Sequence, residues 1–119
     1  MATMSKQFLS GTAGNGMSVP DISNSSGSPT TVHTAVSGTS DIDEVWIYAC
    51  NTDTSPVKLT LLWGGTTDSD DYIEVTIQPE SGLVLVAPGL PLQNGKIVKA
   101  FCGTANVLNL HGYVNRITA

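Results

Sequence analysis

An all-β fold, a small sandwich or jelly roll of about seven or eight short strands, is what this chain predicts. Three observations lead there. The 119 residues are 13% charged and 40% hydrophobic, and they are rich in Gly, Ser, Thr and Val, which favours strands and turns over helices. From Thr31 onward apolar side chains recur at every second position in short runs, the period of a half-buried strand. Between the runs, clusters of Gly, Pro, Asn, Asp and Ser mark turns at intervals of about eight to twelve residues. No stretch carries a helical period.

Residues 1–30, MATMSKQFLSGTAGNGMSVPDISNSSGSPT, do not share that pattern. Phe8, Leu9, Met17, Val19 and Ile22 stand as isolated apolar beads in a Gly/Ser/Asn matrix, too sparse for a core of their own. The composition predicts an extended N-terminal arm over 1–30, whose beads anchor in grooves on a neighbouring molecule, and a β-sandwich domain over 31–119. A body of that size is marginal alone, and association is a source of stability.

The strands follow in order. Thr31 to Val36 alternates Val32, Thr34 and Val36 with Thr31, His33 and Ala35, before the turn Ser37-Gly38-Thr39-Ser40. Glu44 to Asn51 sets Val45, Ile47 and Ala49 against Trp46, Tyr48 and Cys50, so both faces are apolar enough to be covered, as in a central strand. For Trp46 and Tyr48 two fates stay open, a subunit interface or a covered sheet face. After the turn through Pro56, Val57, Leu59, Leu61 and Trp63 share a core-facing side. Tyr72 to Ile77 is the cleanest alternation, with Ile73, Val75 and Ile77 inward. Leu83 to Gly89 forms the next strand, and the Pro-Gly and Leu-Pro pairs at 88–91 predict an irregular crossing. Lys96 to Cys102 and Asn106 to Ile117 complete the set; in the last, Leu108, Leu110, Gly112 and Val114 alternate with Asn109, His111, Tyr113 and Asn115.

The net charge of −5, with five basic residues, offers no footprint for a phosphate backbone, so no direct nucleic-acid partner is expected. Neither a secretory signal nor a membrane span is expected, and the chain is read as soluble and made in the cytoplasm. Cys50 and Cys102 lack zinc-type spacing and read as two buried thiols behaving as small apolar groups, on strands that could be neighbours. Asp68, Asp70 and Asp71 lack the frame and closing Glu of a calcium loop and read as a solvated turn; Asp41, Asp43 and Glu44 sit at a strand entrance and read likewise, with pairing to a Lys or Arg of another subunit as the second option. His33 and His111 lie in separate strands without Cys, Asp or Glu at ligand spacing. No nucleophile elbow, phosphate loop or paired carboxylates support catalysis, and no cofactor or metal is expected.

One stretch carries a resemblance. HTAVSGTSDIDEVWIYACNTDTSPVKLTLLWGGTT, followed by IEVTIQPESGLVLVAPGLPLQNGKIVKAFCGTANVLNLHGYVNRI, resembles the small virion structural proteins of tailed bacteriophages over about residues 32–117. It does so through the Asn51-Thr52 turn and its strand, the Ile77–Leu85 linker, the Asn94-Gly95 turn and the Ala105-Asn106-Val107 to Gly112-Tyr113-Val114 end strand. The resemblance implies a β-sandwich carried in many copies on a virion, favoured on the outer surface of the head as a capsid decoration or cement protein. Its implied partners are the major capsid protein, other virion proteins and copies of itself, with a trimer favoured. It transfers no catalytic residues. A neck, tail or baseplate component is the alternative. From another class, a receptor- or carbohydrate-binding sandwich would use Trp46, Tyr48 and the acidic loop. The partner-binding residues expected are Phe8, Leu9, Met17, Val19, Ile22, Trp46 and Tyr48.

Overall fold

The computed structural model describes every residue from Met1 to Ala119. Eight strands form without any helix: β1 (Thr3–Phe8), β2 (Thr30–Thr34), β3 (Ile42–Asn51), β4 (Val57–Trp63), β5 (Tyr72–Ile77), β6 (Val84–Leu92), β7 (Ile97–Cys102) and β8 (Leu108–Thr118). They make two four-stranded antiparallel sheets, a first in the order β1-β8-β3-β6 and a second in the order β2-β7-β4-β5. The two sheets share one core, which is the small β-sandwich the alternation predicts.

Period-two patterning decides which side chains enter that core. From the first sheet come Val45, Ile47 and Ala49 on β3 and Leu108, Leu110 and Val114 on β8. From the second come Val57, Leu59 and Leu61 on β4, Val98, Ala100 and Cys102 on β7, and Ile77 on β5. Ile73, Val75 and Trp63 pack against this cluster at its margin.

Two departures from simple alternation have local causes. A bulge between Thr31 and His33 lets Val32 and His33, neighbours in sequence, both point inward, so the expected split of β2 into two faces fails. The predicted crossing at 88–91 is instead the second half of β6. Two bulges against β3 absorb the irregularity, one of them at Gly89, whose φ is +72°. Pro88 and Pro91 are tolerated because β6 is an edge strand, where a missing N–H breaks no ladder bond. Of the two thiols expected to be buried only Cys102 is: it points inward from the second sheet, while Cys50 faces outward, half-buried, from the first, so the two do not share neighbouring strands. Burial pushes the Cys102 thiol above its ordinary value, against the smaller opposing pull of a contact with the Thr104 backbone.

The largest correction concerns residues 1–30. β1 is an edge strand of the first sheet, paired with β8 from Thr3↔Thr118 to Phe8↔Tyr113. Leu9, Val19 and Ile22, expected on a neighbour, are 1%, 1% and 0% exposed in the chain's own core. Phe8 and Met17 remain exposed, at 62% and 59%. Isolated beads suffice here because the backbone between them is tied at each step. Gly11 donates to the Val32 carbonyl at 2.9 Å, Val19 exchanges bonds with Leu110 at 2.7 and 3.0 Å, and Cys102 donates to the Ser23 carbonyl at 2.9 Å. The segment thus passes from β8 to β2 at Gly11, back to β8 at Val19 and on to β7 at Ser23, and Leu9, Val19 and Ile22 plug the core along the way.

Candidate functional site on the outer face of the first sheet

The registers of the first sheet align its outward side chains into rows that cross the strands. Phe8 pairs with Tyr113, Tyr113 with Trp46, and Trp46 with Pro88, so one row of four spans β1, β8, β3 and β6. The adjacent row on one side is Lys6, Asn115, Glu44 and Pro91, and beyond it lie Met4, Ile117 and Ile42. On the other side His111, Tyr48 and Leu85 form a further row. Directly opposed side chains in antiparallel pairs sit on the same face, so these rows make one surface. The structure therefore gathers Phe8, Trp46 and Tyr48 among the predicted partner residues, and sends Leu9, Val19 and Ile22 inward.

Trp46 anchors the surface. Its ring stacks on Tyr113 with centroids 6.0 Å apart and planes 14° from parallel, and the Lys6 ammonium stands 4.5 Å from the Tyr113 ring centre. The indole N–H donates to Glu44 Oε1 at 3.0 Å, and Asn115 Nδ2 donates to the same oxygen at 3.2 Å. Those two bonds hold the Glu44 carboxyl below its ordinary range. Two glycines make room for the indole's strand position. A Cβ on Gly89 would lie 2.8 Å from Trp46 Cζ2, and one on Gly112 would lie 1.9 Å from the Trp46 carbonyl oxygen. The surface is aromatic along the row through Trp46, polar or charged along the row through Glu44, and apolar again through Met4, Ile117 and Ile42. Between β1 and Gly112 a groove of about 310 Å³ runs beside Phe8 and Tyr113, with Gly16 on its rim.

Sequence reasoning had Trp46 and Tyr48 on this face but not Tyr113, Lys6 or Asn115 as their company. Tyr113 alternates outward in the end strand, which is a usable signal. The β1–β8 pairing that brings Lys6 over its ring joins the two ends of the chain and leaves no local trace.

The other cluster of titratable groups lies inside. Asp43, wholly buried, accepts from Arg116 Nε at 2.8 Å on Oδ1 and from Arg116 Nη2 at 3.1 Å on Oδ2. The Val36 amide donates to Oδ2 at 3.0 Å, and His33 Nε2 lies 2.8 Å from the same oxygen. His33 Nδ1 accepts from the Ser10 amide at 3.0 Å, which places the ring proton on Nε2 and makes Asp43 its acceptor. Burial pushes the Asp43 carboxyl up, but the bonds from Arg116, His33 and Val36 outweigh it and hold the group below its ordinary value. The Arg116 guanidinium is raised in turn by its bond to Asp43, partly offset by burial.

A Ser, a His and an Asp meet here, but not as a nucleophile and its base. Ser10 contacts His33 through its backbone amide, while its hydroxyl accepts from the Thr34 amide at 2.7 Å. His33 is itself 1% exposed. The cluster clasps the start of the chain, β2, β3 and β8 together. No three His, Cys, Asp or Glu side chains converge as a metal site. Comparison with known proteins adds nothing to these geometric findings: no family profile, no curated protein and no solved structure matches the chain.

Proposed function

We propose that this chain is a structural virion protein of a tailed bacteriophage, a capsid decoration or cement protein that binds the outer head shell and stabilises it. The observation that carries this reading is the row Phe8, Tyr113, Trp46 and Pro88 on a sheet face that no element of the chain covers. Aromatic rings beside the polar row Lys6, Asn115 and Glu44, with apolar Met4, Ile117 and Ile42 beyond it, have the mixed aromatic, apolar and polar make-up of a protein–protein interface. The sequence resemblance over residues 32–117 supplies the class of partner, the major capsid protein and further copies of the chain. A net charge of −5 suits an exterior position away from packaged DNA.

The mechanism is mechanical. Each subunit buries a modest interface, and repetition over a lattice turns weak contacts into a strong shell through effective concentration. The test is quantitative mass spectrometry of purified particles alongside binding of the free protein to particles stripped of it. A copy number comparable to that of the major capsid protein, with Trp46→Ala binding stripped heads at least about tenfold more weakly, is the expected result. A count far below that moves the protein to the neck, tail or baseplate, and full binding by Trp46→Ala removes the aromatic face from the contact.

A further inference from the structure

On the opposite side of the molecule the second sheet carries a shallow, open cleft. A cleft of about 490 Å³ opens over β4, walled by β5 and β7, by the loop through Asp68 and by the passing segment at Asn24 to Ser26. Register fixes its floor: Thr60 pairs with Phe101 on one side and with Glu74 on the other, so the three side chains project in one row. Phe101 and Tyr72 stand two strands apart, yet their rings meet edge to face at 5.6 Å. They meet above β4, where Thr60 pairs with Phe101 and Leu62 pairs with Tyr72, both side chains buried at 3% and 1% exposure. Lys58 and Glu74 form an ion pair beside the rings, with side chains 59% and 44% exposed. The loop that brings Asp68 is built rather than loose. Asp71 accepts from the Thr67 amide at 2.9 Å, its own amide donates to the Thr67 carbonyl at 3.1 Å, and its carbonyl accepts from the Trp63 amide at 2.8 Å.

We infer that this cleft binds a neutral saccharide, a sugar unit of a surface glycan, at a site separate from the aromatic face of the first sheet. Two carboxylates against one ammonium disfavour a phosphate or other anion. A lining with three hydrophobic residues of eleven disfavours an apolar ligand. What fits is a molecule with an apolar C–H face to lie on the aromatic rings and hydroxyls that both donate and accept. Each hydroxyl can donate to Glu74 or Asp68 while accepting from Lys58. The Lys58–Glu74 pair contributes little to stability while both groups are solvated, so exchanging part of it for ligand hydroxyls costs little. The size lies in the range of small-molecule sites.

The test is a nuclear magnetic resonance titration of the full chain, labelled with nitrogen-15, with glucose, galactose, mannose, N-acetylglucosamine and their disaccharides, and with inorganic phosphate as a separate arm. The expected result is saturable shifts at the Thr60, Glu74 and Phe101 amides for at least one sugar and none for phosphate. Phe101→Ala and Glu74→Gln should each weaken that binding about tenfold or more, and Phe101→Tyr should retain it. Should Phe101→Ala fail to fold, the exposed and isosteric Glu74→Gln decides alone. No saturable shift with any of these sugars overturns the inference. So do shifts that map to Trp46 and Tyr113, or shifts that phosphate reproduces. The proposed role on the head shell stands or falls by particle binding and is independent of this outcome.

Discussion

β3 sends Asp43, Val45, Ile47, Ala49 and Asn51 into the core at every second position, while the segment before β2 sends in Leu9, Val19 and Ile22 with no regular spacing. In β3 the inward set is specified by the pleat: a slip of one residue would expose the whole apolar series. In the N-terminal segment nothing periodic specifies burial. Backbone bonds to β2, β7 and β8 do so instead, and they place three side chains deep while leaving Phe8 and Met17, one and two residues from buried neighbours, exposed. A polar, Gly-rich stretch can therefore be structural cement for its own domain, if partner strands supply the bonds it lacks internally.

Deleting residues 1–22 puts the greatest strain on that contrast. It removes β1 and all three plugs, each worth about 2–5 kcal/mol, against a total stability for a domain of about 5–15 kcal/mol. Loss of cooperative thermal unfolding by circular dichroism is expected. A truncated chain that still melts cooperatively near the parent temperature would return the segment to the status of a detachable arm.

Next in size is Asp43→Ala, which strands Arg116 and His33 and is expected to cost about 3–5 kcal/mol in denaturant unfolding. The pH dependence has a defined sign. Because the folded-state carboxyl lies below its ordinary value of 3.8, its contribution is fully present above that value and is lost as pH falls through the folded-state value. Asp43→Asn should flatten the acid limb of the stability–pH curve, and an unchanged limb would assign acid sensitivity to other carboxylates.

Ile22→Ala and Met17→Ala sharpen the comparison within one segment. The first should cost about 2–5 kcal/mol and the second under about 0.5 kcal/mol, measured by chemical denaturation. Equal costs would mean that the segment does not discriminate between its beads. The smallest effect belongs to Lys6→Ala, where loss of the contact over Tyr113 should cost about 0.5–1 kcal/mol.

How much was legible follows from which forces are local. The alternation of β3, β4, β5, β7 and β8 is written into consecutive residues, and each lies within a few residues of its expected bounds. β1 was not foreseen because TMSKQF is exposed at nearly every position, and an edge strand with neither face covered shows no alternation of burial. The continuation of β6 through Pro88 and Pro91 was hidden because those residues signal a break in any strand except an edge strand, and edge position is a property of topology. At the candidate interaction face the local half was readable, Trp46 and Tyr48 opposite Val45 and Ile47. The half that depends on pairing the first strand with the last was not. The clasp around Asp43 was missed for the same reason, since its bonds reach to His33 and Arg116 in other strands.

The β1–β8 pairing also sets a timetable. On the ribosome residues 3–22 emerge early, but Val19 has no Leu110 to bond, and Thr3 no Thr118, until β8, the last strand, has been synthesised. Closure of the sandwich must follow the emergence of β8, and so many native contacts of long sequence separation predict slow folding. During that wait the early segment has to stay unstructured without sticking to its neighbours. Its Gly-, Ser- and Asn-rich composition, with apolar residues spaced too far apart to collapse or to stack as a zipper, suits it to that interval.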